Sequence, residues 1–294
     1  MLFSPTIGAI TVAHWFLRAR CRASRTTGDT DRRSTRLAPR RGGVTKGMPF
    51  LRSLLLLFAL VSVAHSQDGP SDAATAQNAG QAFGLYLDGV LKSGGEPNFT
   101  KPPAAELFRN IFDVAALKAL PPATADDMPW LLQWGSAVYQ SYKRIVLFGL
   151  QPGQPIDQLI MRRNISEYQD QCAMAMDFMI RFEARQATAL TLFLEQLPQE
   201  QHTPARAAGL QQARLGAAQS IVGAITAIAQ NMSPGNARLI TASLRDTRDT
   251  WATYVMPDDR TKIANLLGQI LATEQDGDVR ENLAALAGAL AATK

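Results

Sequence analysis

An all-α, mainly antiparallel helical bundle of about seven to eight helices is the fold this sequence predicts, and three observations lead there. Apolar residues recur at spacings of three and four through most of the chain. Pro- and Gly-rich clusters punctuate those stretches at lengths suited to helices. No alternating β-branched run bounded by turn residues appears.

The first 66 residues stand outside this pattern. Residues 48–66 (MPFLRSLLLLFALVSVAHS) have the three parts of a secretory signal: Arg52 in the n-region, an apolar stretch over 54–63, and Ala64-His65-Ser66 as a small-x-small cleavage site before Gln67. About ten apolar residues are too few to span a bilayer core of ~30 Å, so the segment reads as an address and leaves no transmembrane anchor after cleavage. Residues 1–47 admit two readings, a start codon assigned too early or an Arg-, Ser- and Thr-rich transit-like segment. A complete export signal following them favours the first. The expected organisation is therefore an extra N-terminal segment at 1–47, a signal peptide at 48–66, a leader with first helix and loop at 67–103, and a helical bundle domain at 104–294.

Each helix has its own justification. Residues 73–91 carry Phe83, Leu87, Val90 and Leu91 on one side, and KSGGEPNFTKPP (92–103) then reads as a loop. Leu107, Phe108, Ile111, Val114 and Leu117 predict a helix over 104–120. Thr124 and Asp127 resemble a capping box opening a helix to about Leu150, whose Trp130, Trp134, Val138, Ile145 and Phe148 spread apolar surface most of the way round. From Ile156 to Leu197 there is neither Gly nor Pro, which predicts one long central helix over about 156–197. Its seam of Met161, Ile165, Tyr168, Cys172, Ala175, Met179, Phe182, Gln186, Ala189 and Phe193 alternates steps of four and three, as bundle packing requires. Thr203-Pro204 and Ser233-Pro234 each read as an N-cap followed by Pro at the first helical position, starting helices to about Gln230 and Val255. Pro257 with Asp258 and Asp259 begins the next, where the acids complement the helix dipole, and Val279, Leu283, Leu286 and Leu290 mark the last.

Charge and reactive side chains narrow the function. The whole chain carries a net +5, but residues 67–294 hold 19 basic against 23 acidic residues, a net of −4. Dispersed, mildly acidic charge excludes a phosphate-binding stripe and with it nucleic acid as partner. Past the signal only His202 and Cys172 remain, so a disulfide within the mature chain, a Glu-x-x-His di-iron site and Cys-x-x-Cys-His haem attachment are all excluded by inventory. No cofactor is expected. His202 falls in an inter-helix link, a poor setting for a catalytic base. Asp126-Asp127 and Asp258-Asp259 sit at helix starts, where capping explains them, and Arg162, Arg163, Arg245 and Arg248 each have acids nearby for ion pairs. Asn98, Asn164 and Asn231 head glycosylation-type triplets, although Asn164 lies inside a predicted helix.

Two constellations remain. Gly209, Ala213, Gly216, Ser220, Gly223 and Ala227 fall on one seam of the helix from Pro204, and each Gly within a helix costs ~1 kcal/mol relative to Ala. Small residues in register permit close approach of a neighbouring helix, or form a groove for an apolar ligand or partner helix. Cys172, Met176 and Met179 share a helix face at i, i+4 and i+7, soft sulfur ligands of the kind Cu(I) selects; core packing explains them as well. The resulting expectation is an exported, periplasmic or secreted, non-catalytic bundle that binds a protein partner or apolar ligand in the cell envelope. The alternatives are a soft-metal protein using the sulfur face and, last, an enzyme built on carboxylates and arginines.

Overall fold

The computed structural model describes residues 71–150, 154–230 and 232–292 of the chain. The expected export signal and the segment before it lie outside the described residues, as does Asn231 of the third glycosylation-type triplet. The described residues form eleven α-helices and two short 3₁₀ turns, and no strand is found among them: α1 (Ser71–Lys92), α2 (Ala104–Ile111), α3 (Val114–Ala119), α4 (Met128–Val146), α5 (Gln158–Glu167), α6 (Gln169–Glu195), α7 (Pro204–Ile228), α8 (Pro234–Asp246), α9 (Arg248–Tyr254), α10 (Pro257–Leu271) and α11 (Gly277–Ala292). The protein is an all-α helical bundle. All eight helices read from the sequence are present, and three of them are each divided in two.

The division of the expected long helix is the clearest correction. Residues 156–197 do not form one rod; the chain turns at Tyr168 (φ −107°, ψ 37°) between α5 and α6. Tertiary anchors on either side account for the turn. The fully buried Asn164 amide donates to the carbonyl oxygens of Val146 (3.2 Å) and Phe148 (2.8 Å), capping the end of α4, while the Tyr168 ring meets Phe99 edge-on at 5.0 Å. A straight helix cannot serve both anchors and the α6 seam together. The same burial removes Asn164 as a glycosylation site. The other two breaks have local causes. Asp113 accepts the amide of Ala116 at 2.9 Å and so caps α3 afresh. The Thr247 hydroxyl donates back to the Ser243 carbonyl (2.7 Å) and accepts from the Trp251 indole (2.7 Å), a side-chain bond of the kind that bends helices.

Helix α6, about 40 Å long at 1.5 Å per residue, is the axle of the bundle. It packs on α4 towards the N-terminal layer of α1 and α2, and on α8 and α9 towards the C-terminal layer that α11 closes with α8 and α10. One continuous core joins the layers, with an aromatic chain through its N-terminal half: Phe99, Phe108, Phe112, Phe178 and Trp134 follow one another at ring separations of 4.7 to 6.3 Å. The α4–α6 crossing is close. A Cβ on Gly135 would come within 2.8 Å of the Gln186 amide and 3.1 Å of the Phe182 ring. Glycine gives the crossing room there, and Gln186, on the apolar seam, reaches the Leu131 carbonyl at 3.1 Å.

The anticipated caps are in place. Thr203 and Ser233 accept the amides of Arg206 (3.3 Å) and Asn236 (3.4 Å), and the Thr124 amide donates to Asp127 at 3.1 Å. Gly94 ends α1 with φ 69°, folding the chain so that the Gly95 amide donates to the Val90 carbonyl at 3.0 Å. Two glycines carry no such demand. At Gly268 in α10 and Gly288 in α11 a Cβ would meet no atom within 4 Å. Alanine at either position is expected to stabilise the protein by about 0.5–1 kcal/mol, since the backbone is already helical and the unfolded chain loses freedom. Paired urea unfolding curves for G268A, G288A and the double variant check this, and a loss at either site contradicts the open geometry.

Candidate functional site

The most unusual chemistry lies where α4, α6, α7 and α9 meet. Tyr139 of α4 donates its hydroxyl to Glu183 Oε1 of α6 at 2.6 Å, and Ser220 of α7 donates to the same oxygen at 3.3 Å. Tyr139, Glu183 and Ser220 are each half-buried. Burial pushes the Glu183 carboxyl from 4.5 up to about 7, outweighing the two hydroxyls that favour its charge. Tyr139 is held well above the usual phenol range by burial and then by the Glu183 charge, so it stays a donor. Tyr254 of α9 closes the cluster. Its hydroxyl is raised by burial and by Glu183 against the pull of Arg214, whose guanidinium lies 5.7 Å from the Tyr254 ring centre. The Nε of Arg214 is buried without a hydrogen-bond partner.

Of these groups only Ser220 belongs to a constellation marked in the sequence. It is the polar member of the small-residue seam, and glycines one turn to either side, Gly216 and Gly223, are buried. Absent side chains let α7 approach until a serine hydroxyl spans the gap to α6. Glu183 escaped notice because Arg181 and Arg185 flank it, which reads as a solvated charge run. Those arginines point elsewhere: Arg181 pairs with Asp177 and Asp246, each at 2.8 Å, and Arg185 pairs with Asp127 at 2.8 Å. The one available signal was spacing, since Glu183 sits four residues after Met179 and beside Phe182 on the apolar side.

The rest of the seam divides along its length. Ala213 and Ala227 are half-buried, and α7 packs on α8 and α10 as well as α6. At the N-terminal end Gly209 has little exposed backbone, yet a Cβ placed there would meet no atom within 4 Å, because its own helical turns cover the backbone and nothing lies beyond. Pro204, Ala205, Ala207 and Ala208 around it are exposed.

The sulfur face sits in the interior. Cys172 is buried, and burial pushes its thiol up to about 12, so the neutral form prevails at physiological pH. Met176 and Met179 are half-buried against the core, whereas Met174 is exposed on another side of α6. His202 is exposed in the α6–α7 link with Nε2 3.0 Å from the Leu197 carbonyl oxygen. Asp259 accepts from Lys262 at 2.8 Å, and Arg245 and Arg248 lie 2.9 and 3.7 Å from Asp246 and Asp249. Trp130, Trp134, Trp251 and Tyr254 are all buried core anchors. Among the described residues no group of three or more His, Cys, Asp or Glu converges as a metal would need, and no helix is long and apolar enough to cross a membrane.

No protein-family model, curated protein or solved structure matches this chain.

Proposed function

We propose that the chain is an exported, non-catalytic helical bundle that binds a protein partner or apolar ligand in the cell envelope, using the open end of the small-residue helix α7. The observation that carries this reading is Gly209. There the seam, buried against the bundle further along, ends beside the exposed Ala205 and Ala208, and a Cβ on Gly209 would meet no atom within 4 Å. Small side chains allow another helix or a flat apolar molecule to approach the backbone closely. The other exposed large apolar residues, Leu85, Leu159 and Met174, stand on three different helices, α1, α5 and α6. Scattered singly, such residues are ordinary surface. Reactive groups are committed to structure: Asp127 to Thr124 and Arg185, Asp259 to Lys262, and the Cys172 thiol to the core.

Native mass spectrometry of the protein purified from its own cells tests the proposal. A chain beginning at Gln67 and carrying a bound protein or apolar molecule is expected. In Gly209→Trp occupancy is expected to fall at least about tenfold, a change of ~1.4 kcal/mol in binding. Undiminished occupancy in a folded Gly209→Trp protein removes the seam from consideration, and a chain retaining residues 18–46 removes export.

A further inference from the structure

The carboxylate of Glu183 is a titratable group that the binding reading leaves unused. With its two hydroxyl donors, Tyr139 from α4 and Ser220 from α7, it joins three helices. We propose that Tyr139, Glu183 and Ser220 form a proton-operated latch: with a proton on Glu183 the latch holds α7 against α4 and α6, and loss of that proton loosens it.

The surroundings isolate this carboxylate from other charges. From α4 it faces Tyr139, from α7 Ser220 with Arg214 behind, and from α9 Tyr254. Other elements packed on α6 bring charges that are already engaged. Asp127, ahead of α4, holds Arg185; Asp246 of α8 holds Arg181; and Lys118 of α3 acts on Asp177. Arg214 stands beside the cluster with its guanidinium over the Tyr254 ring. A negative charge on Glu183 is therefore stabilised by two hydroxyls while burial opposes it. Such a charge is relieved when the flanking helices part and admit solvent.

The direction with pH follows from proton affinity. The Glu183 carboxyl holds its proton up to about 7 when folded, against 4.5 when free. Below 4.5 both folded and unfolded chains carry the proton, and the latch is at full strength. Between 4.5 and 7 the unfolded chain ionises first, so stability falls as pH rises, and above 7 the loss is complete.

The test uses the full exported chain. Urea unfolding between pH 4.5 and 8 is expected to show the unfolding constant rising by roughly 10²-fold across the window. Glu183→Gln is expected to flatten that rise and to exceed the wild type in stability at pH 8. Hydrogen exchange, corrected for the intrinsic effect of pH, is expected to quicken in α7 above pH 7 in the wild type alone. Tyr139→Phe supplies an independent arm should Glu183→Gln fail to fold: losing a donor to the ionised carboxylate moves the transition to higher pH. The proposal is overturned by equal corrected exchange in α7 at pH 5.5 and 8, by an unchanged rise in Glu183→Gln, or by an unmoved transition in Tyr139→Phe.

Discussion

Phe178→Ala is expected to cost about 3–5 kcal/mol of folding stability. The ring is fully buried at the middle of α6, stacked on Phe182 at 5.6 Å, tilted against Trp134 at 5.6 Å and edge-on to Phe112 at 5.9 Å. Those neighbours belong to α6, α4 and the end of α2, and each is itself immobilised, so none can swing in to fill the void. Deleting the ring removes burial free energy and leaves a cavity lined by aromatic faces, and both losses act in one direction. For a chain of this length the fall in Tm is on the order of 6–20 °C. Phe178→Leu, which keeps much of the volume, is expected to lose clearly less. Urea unfolding with the slope held constant measures the difference, and a loss under about 1 kcal/mol for the alanine variant would show that the aromatic chain does not knit these helices together.

How much of this was legible in the sequence depends on the range of the cause. Local causes could be read: Thr203 and Ser233 before proline, the capping pair of Thr124 and Asp127, and the four-three seam that put Phe178's neighbour Phe182 inward all reappear in the fold. The breaks at Tyr168 and Thr247 could not, because nothing in their own windows disfavours a helix. Tyr168 turns on account of Phe99 and of the α4 carbonyls held by Asn164, and Thr247 on account of a hydroxyl shared with Trp251. The Glu183 cluster was hidden for a related reason. A charge run such as Arg181, Glu183, Arg185 looks the same whether its members meet one another or meet Asp246, Tyr139 and Asp127 on other helices. The small-residue seam was visible as a pattern; that Ser220 would use it to reach a carboxylate was not.

The companion to the aromatic core is a polar joint further round α6, and Arg181→Leu is expected to destabilise the protein by about 3–5 kcal/mol at pH 7. Arg181 is 10% exposed at its side chain and donates to Asp177 and Asp246, each at 2.8 Å, linking α6 to α8. Arg245 also pairs with Asp246 at 2.9 Å and donates to Asn282 of α11 at 2.9 Å; the Asn282 amide donates in turn to Thr241 at 3.2 Å. Two guanidiniums thus tie three helices together, Arg181 joining α6 to α8 and Arg245 joining α8 to α11. Burial already lifts the Asp177 carboxyl above the usual aspartate range in spite of Arg181, whereas burial at Asp246 is outweighed by Arg181 and Arg245, which hold it below that range. Removing Arg181 strands Asp177 as a buried charge without its partner, and its proton affinity rises further. The unfolded chain then ionises before the folded one as pH rises, so the variant's deficit is greatest at neutral pH and shrinks on acidification towards pH 5. Adding Asp177→Asn removes the stranded charge and is expected to recover a large part of the loss, which simple loss of packing around the Arg181 stem would not allow. Unfolding free energies at pH 7 and pH 5 for the single and double variants decide it: a double variant no more stable than Arg181→Leu alone would mean that the joint holds by shape and not by charge.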